Sequence, residues 1–557
     1  MESEGLMDTI THSQRYSRRA AALVSVCIIV SMAILQGPTT FSWADDEVSP
    51  PPGLTPLPGQ QPKPISIFVP LPPNELQKLN TAARSAVNKS PVRIKAVTDI
   101  HHANIDTKLF ASLVARSITI GAPVSFQVSQ GTSVTVVTDR LEQGLSGTLK
   151  WYGHIPGDPN SSVHIMVNTK DRSLFGGIRV RRTVYEIKPT PSGAHTIYTL
   201  DPTRLPPDHP SDTHGQLSGR IEYSPVLAQP DHLGPAADSD EGNPVKLVAR
   251  LHVREGIRAE PVDGIFVGPP QIDVMVLYTQ EAANQAVMGL ISDEVCYAID
   301  QTTTSFIKSG VQATVRLVHH GVATISEASY GGNIDNLLSD LKDPMKSASV
   351  HALRDTYGAD VVSVWLSDSF RNGTTCGATT TLSPASSGNR DAAYSTVVRS
   401  CATDLERFSF VHELGHVLGA NHDRYKDSSG RDPNYNWGYV RPDKGWRTIM
   451  AYNRDDCASA YCNRLDFWSN PTVSHFGDAT GEPVMALRED CSPNLGIGNS
   501  PSDCKGSAYN KRTLDEAAPI VANFKQPANA LGNVSCGSGG GGADGVSPSP
   551  PLNLNVQ

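Results

Sequence analysis

The sequence predicts an α+β protein in which a β-rich N-terminal region precedes a larger domain of mixed helices and strands. Three observations support this prediction. Short segments of alternating hydrophobicity follow one another from about residue 65 to residue 205. Apolar strand-like segments alternate with helical stretches from residue 272 onward. A helical segment then carries three of the chain's 17 histidines at positions 412–422. We therefore expect the chemistry of the protein in the second region.

The composition limits the classes of function to consider. A chain of 557 residues is too long for one ordinary hydrophobic core, and 39% hydrophobic with 18% charged residues is typical of a globular protein. The net charge is -9 and the pI is near 6.0. Because the chain has no basic stripe or Lys/Arg run, neither nucleic acid nor a membrane surface is an expected partner.

The first 44 residues have the pattern of a secretory signal peptide. Arg15, Arg18 and Arg19 precede the apolar run "AAALVSVCIIVSMAIL", and Ala44 provides a small residue at the exit. At about 16 residues the run is shorter than the roughly 20 that span a bilayer, which favours a cleaved signal over a retained anchor. We expect a secreted protein, extracellular or periplasmic in transit, with no membrane attachment after cleavage.

Cysteine usage agrees with export. Removal of the signal leaves eight cysteines, all from Cys296 onward. An even number in an exported chain favours disulfides, but the sequence leaves the pairing open. Cys457 and Cys462 have a spacing that zinc tolerates. A disulfide is favoured there, because no second cysteine pair lies nearby.

Changes in composition divide the chain into six segments. Strand-like stretches such as "SVTVVTD" and "SVHIMVN" end before a polar segment rich in Pro and Asp, which is suited to proteolytic processing. "QIDVMVLYTQEAANQA" then begins a series of buried strands and helices that continues with "TVRLVHHGV", "NIDNLLSDLKD" and "ADVVSVWLSD". The predicted segments are a signal peptide (1–44), a Pro-rich spacer (45–64), a β-rich region (65–225), a linker with a processing site (226–269), the mixed domain (270–527) and a Gly/Pro-rich tail (528–557).

The histidine-rich segment "FVHELGHVLGANHDRY" has the spacing of a catalytic metal site. His412 and His416 are four residues apart, so they share one helix face and can bind one Zn2+ ion. Glu413 is placed to act as general base towards the attacking water. Gly419 can adopt the left-handed conformation that ends a helix, which would bring His422 to the ion as a third ligand. Three protein ligands leave a position open for water, as in catalytic zinc sites.

These five residues match the HExxHxxGxxH signature of the metzincin metallopeptidases. The segment "RTIMAY" supplies Met450 as the counterpart of their methionine turn. Asp423, after the third histidine, resembles the adamalysin or reprolysin branch and the secreted bacterial peptidyl-Asp metallopeptidases. The stretches "DVMVLYTQEA", "RSCATDLERFSFVHELGH", "FWSNPTV" and "RTLDEAAPIVANFK" are similar to the bacterial reprolysin-like group. The resemblance covers about residues 270–527.

The resemblance implies a metzincin-type catalytic domain, a mixed twisted sheet with long helices, a zinc helix and a methionine turn, preceded by a β-rich prodomain. It implies a zinc endopeptidase made as a preproenzyme, acting on proteins or peptides. Met450 would lie beneath the zinc ion, Asp423 would anchor the turn at the active site, and Tyr452 has the spacing of an oxyanion stabiliser. The substrate would pair with an exposed sheet edge, for which "CGATTTL" is the candidate. The chain's own prodomain is the expected inhibitor, although it lacks the zinc-binding cysteine that silences some metzincins.

The sequence alone leaves three questions open. A catalytically silent binding or adhesion protein on a peptidase scaffold is the alternative function, and the intact Glu413 argues against it. A preference for bonds next to acidic residues, as in the peptidyl-Asp group, would need a cationic pocket. The candidate cations are Arg399, Arg407, Arg424 and Arg447. Ca2+ is a second candidate ion, but the sequence has neither an EF-hand loop nor a Gly-Asp repeat.

Overall fold

The computed structural model describes residues 65–115, 120–143, 148–170, 172–207, 268–286, 291–370, 374–424, 426, 435–454, 456–457, 461–483, 507–527 and 534. The predicted signal peptide and spacer lie outside these residues, as do the linker up to residue 267 and the tail apart from Val534. Among the described residues, no helix combines the length and the apolarity that crossing a bilayer requires.

Residues 65–207, here called the N-terminal region, form a ten-stranded sheet. The strand order is β1-β4-β5-β6-β7-β8-β9-β10-β3-β2, and neighbours are antiparallel except for the parallel pair β1 and β4. The strands are β1 (Ile65–Ser66), β2 (Phe68–Val69), β3 (Val97–Ile105), β4 (Pro123–Ser129), β5 (Thr132–Gln143), β6 (Thr148–Ile155), β7 (Asp158–Asn168), β8 (Ser173–Val180), β9 (Thr183–Pro189) and β10 (His195–Leu200). The helices are α1 (Pro73–Asn88), α2 (Arg93–Ala96) and α3 (Thr107–Val114), with a 3-10 turn at Pro202–Arg204.

Alternating side chains make this sheet two-faced. In β4, "PVSFQVS", every second residue is buried, and Phe126 from this strand packs against Trp151 of β6 with ring centroids 5.2 Å apart. Such period-two burial is what a strand with one face on a core requires. The β-rich pattern seen in the sequence therefore corresponds to one continuous sheet.

Residues 268–527, here called the C-terminal region, contain a five-stranded sheet with helices packed against it. Its order is β12-β11-β13-β15-β14, in which β14 is antiparallel to β15 and the other pairs are parallel. The strands are β11 (Gln271–Tyr278), β12 (Thr314–Val322), β13 (Val361–Leu366), β14 (Gly377–Thr379) and β15 (Tyr394–Val398). The helices are α4 (Gln280–Gln285), α5 (Ile291–Ser309), α6 (Ile334–Lys342), α7 (Ala348–Tyr357), α8 (Arg399–Ala402), α9 (Ser409–Val417) and α10 (Asn510–Val521), with 3-10 turns at Glu327–Tyr330, Ser387–Ala392 and Pro442–Lys444.

The central strands of this sheet are apolar on both faces. All six residues of β13, "VVSVWL", are buried, as expected of a parallel strand covered on two sides. One face packs with α5 and α9, and the other with α6 and α7. Helices and strands thus occur in both regions, which confirms the α+β class.

Short strands form three small sheets that follow the helix α9. They are β16 (Asn421–Asp423) with β17 (Trp437–Gly438), then β18 (Val440–Arg441) with β19 (Trp446–Arg447) and β20 (Asn463–Arg464), and finally β21 (Ser474–His475) with β22 (Asp478–Ala479). A disulfide joins Cys457 to Cys462, as favoured from the sequence, and a second joins Cys376 to Cys401.

Helix α5 is buried on both sides, because the two regions pack together along it. Its apolar face, including Val295 and Phe306, belongs to the core of the C-terminal region. Its polar face meets the N-terminal sheet, where Tyr297 donates a hydrogen bond to the carbonyl of His164 at 2.7 Å. The Tyr152 hydroxyl lies 2.6 Å from that of Thr304 on the same face. The helix is therefore buried on its polar face as well as on its apolar face, and only Ile307 near its end is exposed.

Candidate metal centre

Helix α9 carries the first two histidines into the interior of the C-terminal region. All nine of its residues are buried, and its apolar residues, such as Val411 and Leu414, belong to the main core. The helix ends at Gly419, whose φ of +82° lies in the left-handed region that glycine tolerates. A Cβ atom at this position would lie 2.9 Å from the carbonyl oxygen of Leu382. The turn at Gly419 leads directly into β16, which carries His422.

The structure brings the three predicted histidines together. One nitrogen from each of His412, His416 and His422 lies within 4.8 Å of the others, and the Nε2 atoms of His416 and His422 are 2.9 Å apart. In the part of the chain that the structure describes, this is the only group of three or more His, Cys, Asp or Glu side chains with metal-binding geometry.

Main-chain carbonyls determine which nitrogen of two imidazoles faces the centre. The Nδ1 atom of His412 lies 3.0 Å from the carbonyl oxygen of Ile449, and that of His416 lies 2.9 Å from the carbonyl oxygen of Ala420. Because a carbonyl oxygen only accepts, both Nδ1 atoms donate, and each Nε2 presents a lone pair. Such outer hydrogen bonds are typical of metal-binding histidines. Three converging imidazoles therefore fit a zinc ion with an open coordination position.

Met450 packs against the helix α9, which carries His412 and His416. The side chain is fully buried, and a Cβ atom on Gly415 of α9 would lie 2.8 Å from the Met450 sulfur and 2.6 Å from the ring of Trp468. Only a residue without a side chain allows this close packing. Met450 and Trp468 thus pack directly against α9 and fix its position.

Glu413 points towards the edge strand β14. Its carboxylate is buried, and a Cβ atom on Gly377 would lie 2.5 Å from Oε1 of Glu413. Residue 377 is the first residue of β14, which lies at the edge of the sheet, as predicted for "CGATTTL". The predicted base and the predicted substrate strand are therefore immediate neighbours.

Asp423 and Tyr452 connect the third histidine to the chain beyond Met450. The Oδ1 atom of Asp423 accepts a hydrogen bond from the Tyr452 amide at 2.9 Å. Burial raises the pKa of the Asp423 carboxyl, and the hydrogen bond from Tyr452 opposes this rise. The Tyr452 hydroxyl lies 3.4 Å from Nε2 of His422, so this side chain reaches the centre.

Some residues that shape the centre are not among those predicted from the sequence. Gly415 could have been noticed, because a glycine inside a helix costs about 1 kcal/mol relative to alanine and so needs a reason. Gly377 and Thr381 lie in the predicted edge "CGATTTL", but no local pattern indicates their contacts with the centre, where the Thr381 hydroxyl lies 3.1 Å from Nδ1 of His416. Their roles depend on contacts between segments far apart in the chain.

The four candidate arginines have different surroundings. Arg399 binds Glu294 at 2.7 Å, and Arg447 binds Glu406 at 2.9 Å. Arg424 donates to the carbonyl of Ser507 at 3.1 Å and lies over the ring of Trp437. These partners all belong to the C-terminal region. Arg407 differs, because its side chain reaches the N-terminal region.

The chain is similar to known metallopeptidases. Residues 269–468 match the model of metallopeptidase family M12, of the reprolysin type. The peptidyl-Asp metalloendopeptidase of Stenotrophomonas maltophilia K279a is 29% identical over 375 residues, which cover 64% of this chain and 77% of that protein. The protein of the same name from Xanthomonas campestris pv. campestris is 28% identical, covering 64% and 76%.

A solved structure, metalloproteinase II from Bacteroides fragilis, aligns with 57% of this chain and 86% of that chain at 13% identity. Its TM-score of 0.27 is too low to support an inference about fold. The family match and the two relatives lead to one conclusion: the protein is a metalloendopeptidase, whose residues 269–468 are similar to metallopeptidase family M12 and which is similar to the bacterial peptidyl-Asp metalloendopeptidases.

Proposed function

We propose that the protein is a secreted zinc endopeptidase, made as a preproenzyme, in which Glu413 is the general base. One observation carries this proposal. The nitrogens of His412, His416 and His422 converge within 4.8 Å, and the next residue after the first of them directs a buried carboxylate towards a sheet edge. Metal, base and substrate-binding edge would thus meet at one place.

The expected mechanism assigns a step to each polar group. When bound, zinc polarises the scissile carbonyl and acidifies the attacking water. Glu413 takes the proton from this water and passes it to the leaving amine. Tyr452, whose hydroxyl lies 3.4 Å from His422, is placed to donate a hydrogen bond to the oxyanion. Asp423 supports the site by holding the Tyr452 amide.

A substrate would lie extended along β14 and add a strand to the sheet. The opposite side of β14 is already paired with β15, from Gly377 opposite Val397 to Thr379 opposite Ser395. Main-chain pairing does not select a sequence, so selectivity has to come from side-chain pockets. The relatives are named peptidyl-Asp metalloendopeptidases, and we propose the same preference for bonds next to acidic residues.

We further propose that the N-terminal region is the prodomain and inhibits the enzyme by covering the cleft. In support, the carbonyl of Pro207 accepts a hydrogen bond from the Cys376 amide at 3.0 Å, directly before β14. The chain therefore leaves the N-terminal region next to the first residue of β14. This cover needs no cysteine on the zinc ion.

Processing is expected in the linker, outside the described residues, where Asp263 is one candidate site. Asp273 is a poor site in the folded protein, because it is buried in β11. Its amide donates to Asp360 at 2.9 Å, and its carboxylate binds Arg316 at 2.6 Å. The N-terminal sequence of the mature enzyme identifies the cleaved bond.

The central test compares casein hydrolysis by the secreted protein and its Glu413→Ala variant. Loss of the general base should lower kcat by roughly 10²- to 10⁴-fold, while the zinc content stays near one ion per chain. A chelator should abolish the activity of the unchanged protein. Glu516→Ala, which removes an exposed glutamate on α10, is the matched control and should retain full activity.

The alternative, a silent binding protein, predicts a different result. In that case neither protein would hydrolyse casein, although zinc is bound and the N-terminal region has been removed. Retained activity in Glu413→Ala would instead reject this residue as the base.

A further inference from the structure

Lys342, the last residue of α6, reaches the edge of the five-stranded sheet. Its side chain is partly buried, and Nζ donates a hydrogen bond to the Thr380 hydroxyl at 3.0 Å. Thr380 directly follows β14 and belongs to the predicted edge "CGATTTL". In the described ranges of the chain, no carboxylate lies within ion-pair distance of Lys342. A cation without an adjacent acid therefore lies beside the proposed substrate-binding edge.

One face of this edge segment points towards α6. Ala378 of β14 belongs to the same apolar core as Leu338 and Leu341 of α6. Two residues further along the chain, the Thr380 side chain contacts the amine of Lys342. Residues two apart in an extended chain share a face, so α6 covers the face of Ala378 and Thr380, and Lys342 lies at the end of that cover.

The other face of the segment points towards the metal centre. A Cβ atom on Gly377 would lie 2.5 Å from Oε1 of Glu413, and the Thr381 hydroxyl lies 3.1 Å from Nδ1 of His416. A substrate strand paired with this edge would have the same alternation of faces, with cross-strand neighbours about 5 Å apart at Cβ. Its side chains on the α6 face would then approach Lys342. Because residue 380 lies between residues 377 and 381 in the chain, this approach occurs close to the cleaved bond.

The ammonium group of Lys342 has room for a further partner of opposite charge. Burial lowers the pKa of its amine, and the Asp335 carboxylate, in the first turn of α6, opposes this effect only in part. The hydrogen bond to Thr380 uses one of the three donors of an ammonium group. A substrate carboxylate would supply both an acceptor and the opposite charge, and Thr380 could keep its hydrogen bond.

We propose that Lys342 selects an acidic side chain of the substrate, at the position beside Thr380 on the α6 face. This inference rests on the proposed peptidase function and identifies the origin of its acidic preference. The selecting cation is then a lysine on the helix that covers the edge strand, and not one of the four arginines considered from the sequence.

The test measures kcat/KM of the mature, processed enzyme on pairs of peptides that differ by Asp or Asn at a single position, with the position varied on both sides of the cleaved bond. In Lys342→Gln, the ratio of Asp to Asn cleavage should fall roughly 5- to 30-fold at one position, as expected for a charge-assisted hydrogen bond that is partly exposed. Cleavage of the Asn peptide should stay within about threefold of the wild-type value.

Two further variants separate charge from structure. Lys342→Arg keeps the charge and should retain most of the preference. Lys342→Glu should reverse it, so that a peptide with Lys at this position is cleaved faster than the Asp peptide. Lys346→Gln is the matched control, because it removes a nearby exposed lysine that is bound to Asp340 at 2.7 Å, and it should change no ratio.

Each other outcome has one meaning. The proposal is wrong if Lys342→Gln keeps the full ratio at every position, or if the preference is lost instead in Lys426→Gln, which removes the cation over the Tyr452 ring. It also fails if Lys342→Gln slows both members of each pair equally, since the side chain is then structural. A wild-type enzyme that cleaves both members of every pair equally overturns this inference but not the peptidase function. A wild-type enzyme that holds zinc and cleaves no peptide overturns the proposed function itself.

Discussion

At the residue scale, the geometry of the centre depends on two glycines as well as on the polar side chains, because each glycine leaves room that a side chain would fill. Glycines at two positions allow the helix α9 to approach its neighbours. Gly415 admits the Met450 sulfur from below, and Gly377 admits the Glu413 carboxylate from the side. A methyl group at either position would fall inside the contact distance of a neighbouring atom. The absence of side chains at Gly415 and Gly377 therefore fixes the position of Glu413.

We predict that Gly377→Ala lowers kcat/KM by roughly 10- to 100-fold, because a displacement of about 1 Å at a catalytic group has effects of this size. The new Cβ would lie 2.5 Å from Oε1 of Glu413 and 3.0 Å from the carbonyl of Thr396. The three histidines are not touched, so the zinc content should be unchanged. Kinetics on an Asp-containing peptide, together with metal analysis, measure both quantities.

Gly388→Ala is the control for this prediction. Its Cβ would meet only the Ser386 hydroxyl at an ordinary 3.7 Å, so activity should be preserved. Equal activity of the Gly377→Ala and unchanged enzymes would show that Glu413 is not held by this contact.

The sequence predicts that the first two histidines lie side by side, because their spacing follows from helix geometry alone. His412 and His416 share a face whatever the rest of the chain does. By contrast, the Ile449 carbonyl that orients His412 lies 37 residues away, and no local pattern identifies it. Residues whose role comes from a distant contact can be found only in three dimensions.

At the scale of elements, the edge strand β14 has few main-chain hydrogen bonds to hold it in place. β14 has only three residues and pairs on one side with β15. A disulfide joins Cys376, just before this strand, to Cys401 of α8, across 25 residues of sequence. The bridge therefore anchors the start of the edge strand β14 to α8, the helix that precedes α9.

We predict that removal of this bridge in a Cys376→Ser and Cys401→Ser double variant lowers the free energy of unfolding by about 3 kcal/mol, from the size of the closed loop. Because the loop contains β14, KM for peptides should rise as well. Denaturant unfolding and steady-state kinetics measure the two effects.

The Cys457–Cys462 bridge provides a matched comparison. It closes a loop of 5 residues, so its removal should cost less, about 2 kcal/mol in the same model. It does not hold β14, and KM should not change. An equal rise of KM in both double variants would show that the effect on substrate binding is not specific to the edge strand.

Sequence patterns predict most of these elements but not their connections. The alternation in "PVSFQVS" and the apolar run in "QIDVMVLY" correspond to β4 and β11, because burial on one or two faces imposes a period on the sequence. Cysteine pairing imposes no such period. The bridge between Cys376 and Cys401 therefore followed from the fold and could not be chosen beforehand.

At the scale of the whole molecule, the two regions have complementary charge where they meet. Three ion pairs join them within the described residues, and in each the base belongs to the N-terminal region and the acid to the C-terminal region. The pairs are Lys150 with Asp300, Arg179 with Glu406 and Lys188 with Glu294. All six side chains are buried or nearly so. Such complementary charge is suited to two regions that associate and later separate, because each region then exposes charged rather than apolar side chains to water.

A charge reversal on one side should therefore weaken the association, and a second reversal on the other side should restore it. Lys150 and Asp300 suit this test. Burial raises the pKa of Asp300 and Lys150 opposes the rise, so the carboxylate depends on its partner. Removal of one member of a buried pair costs roughly 3–5 kcal/mol, because the other charge stays uncompensated. We predict that Lys150→Asp and Asp300→Lys each release the N-terminal region once the linker is cut, and that the double variant retains it.

The measurement uses the full chain with a specific protease site introduced between residues 226 and 262, followed by size-exclusion chromatography of the cut protein. Glu413→Ala in the same chain prevents self-processing. Co-elution of the two pieces is expected for the unchanged interface and the double variant, and separation for each single variant. If the single variants also co-elute, apolar contacts such as Phe175 against Tyr297 hold the regions together without help from charge. If the double variant separates like the single ones, exchanging the two charges does not restore the interaction. Other charged groups nearby then require a base at position 150 and an acid at position 300.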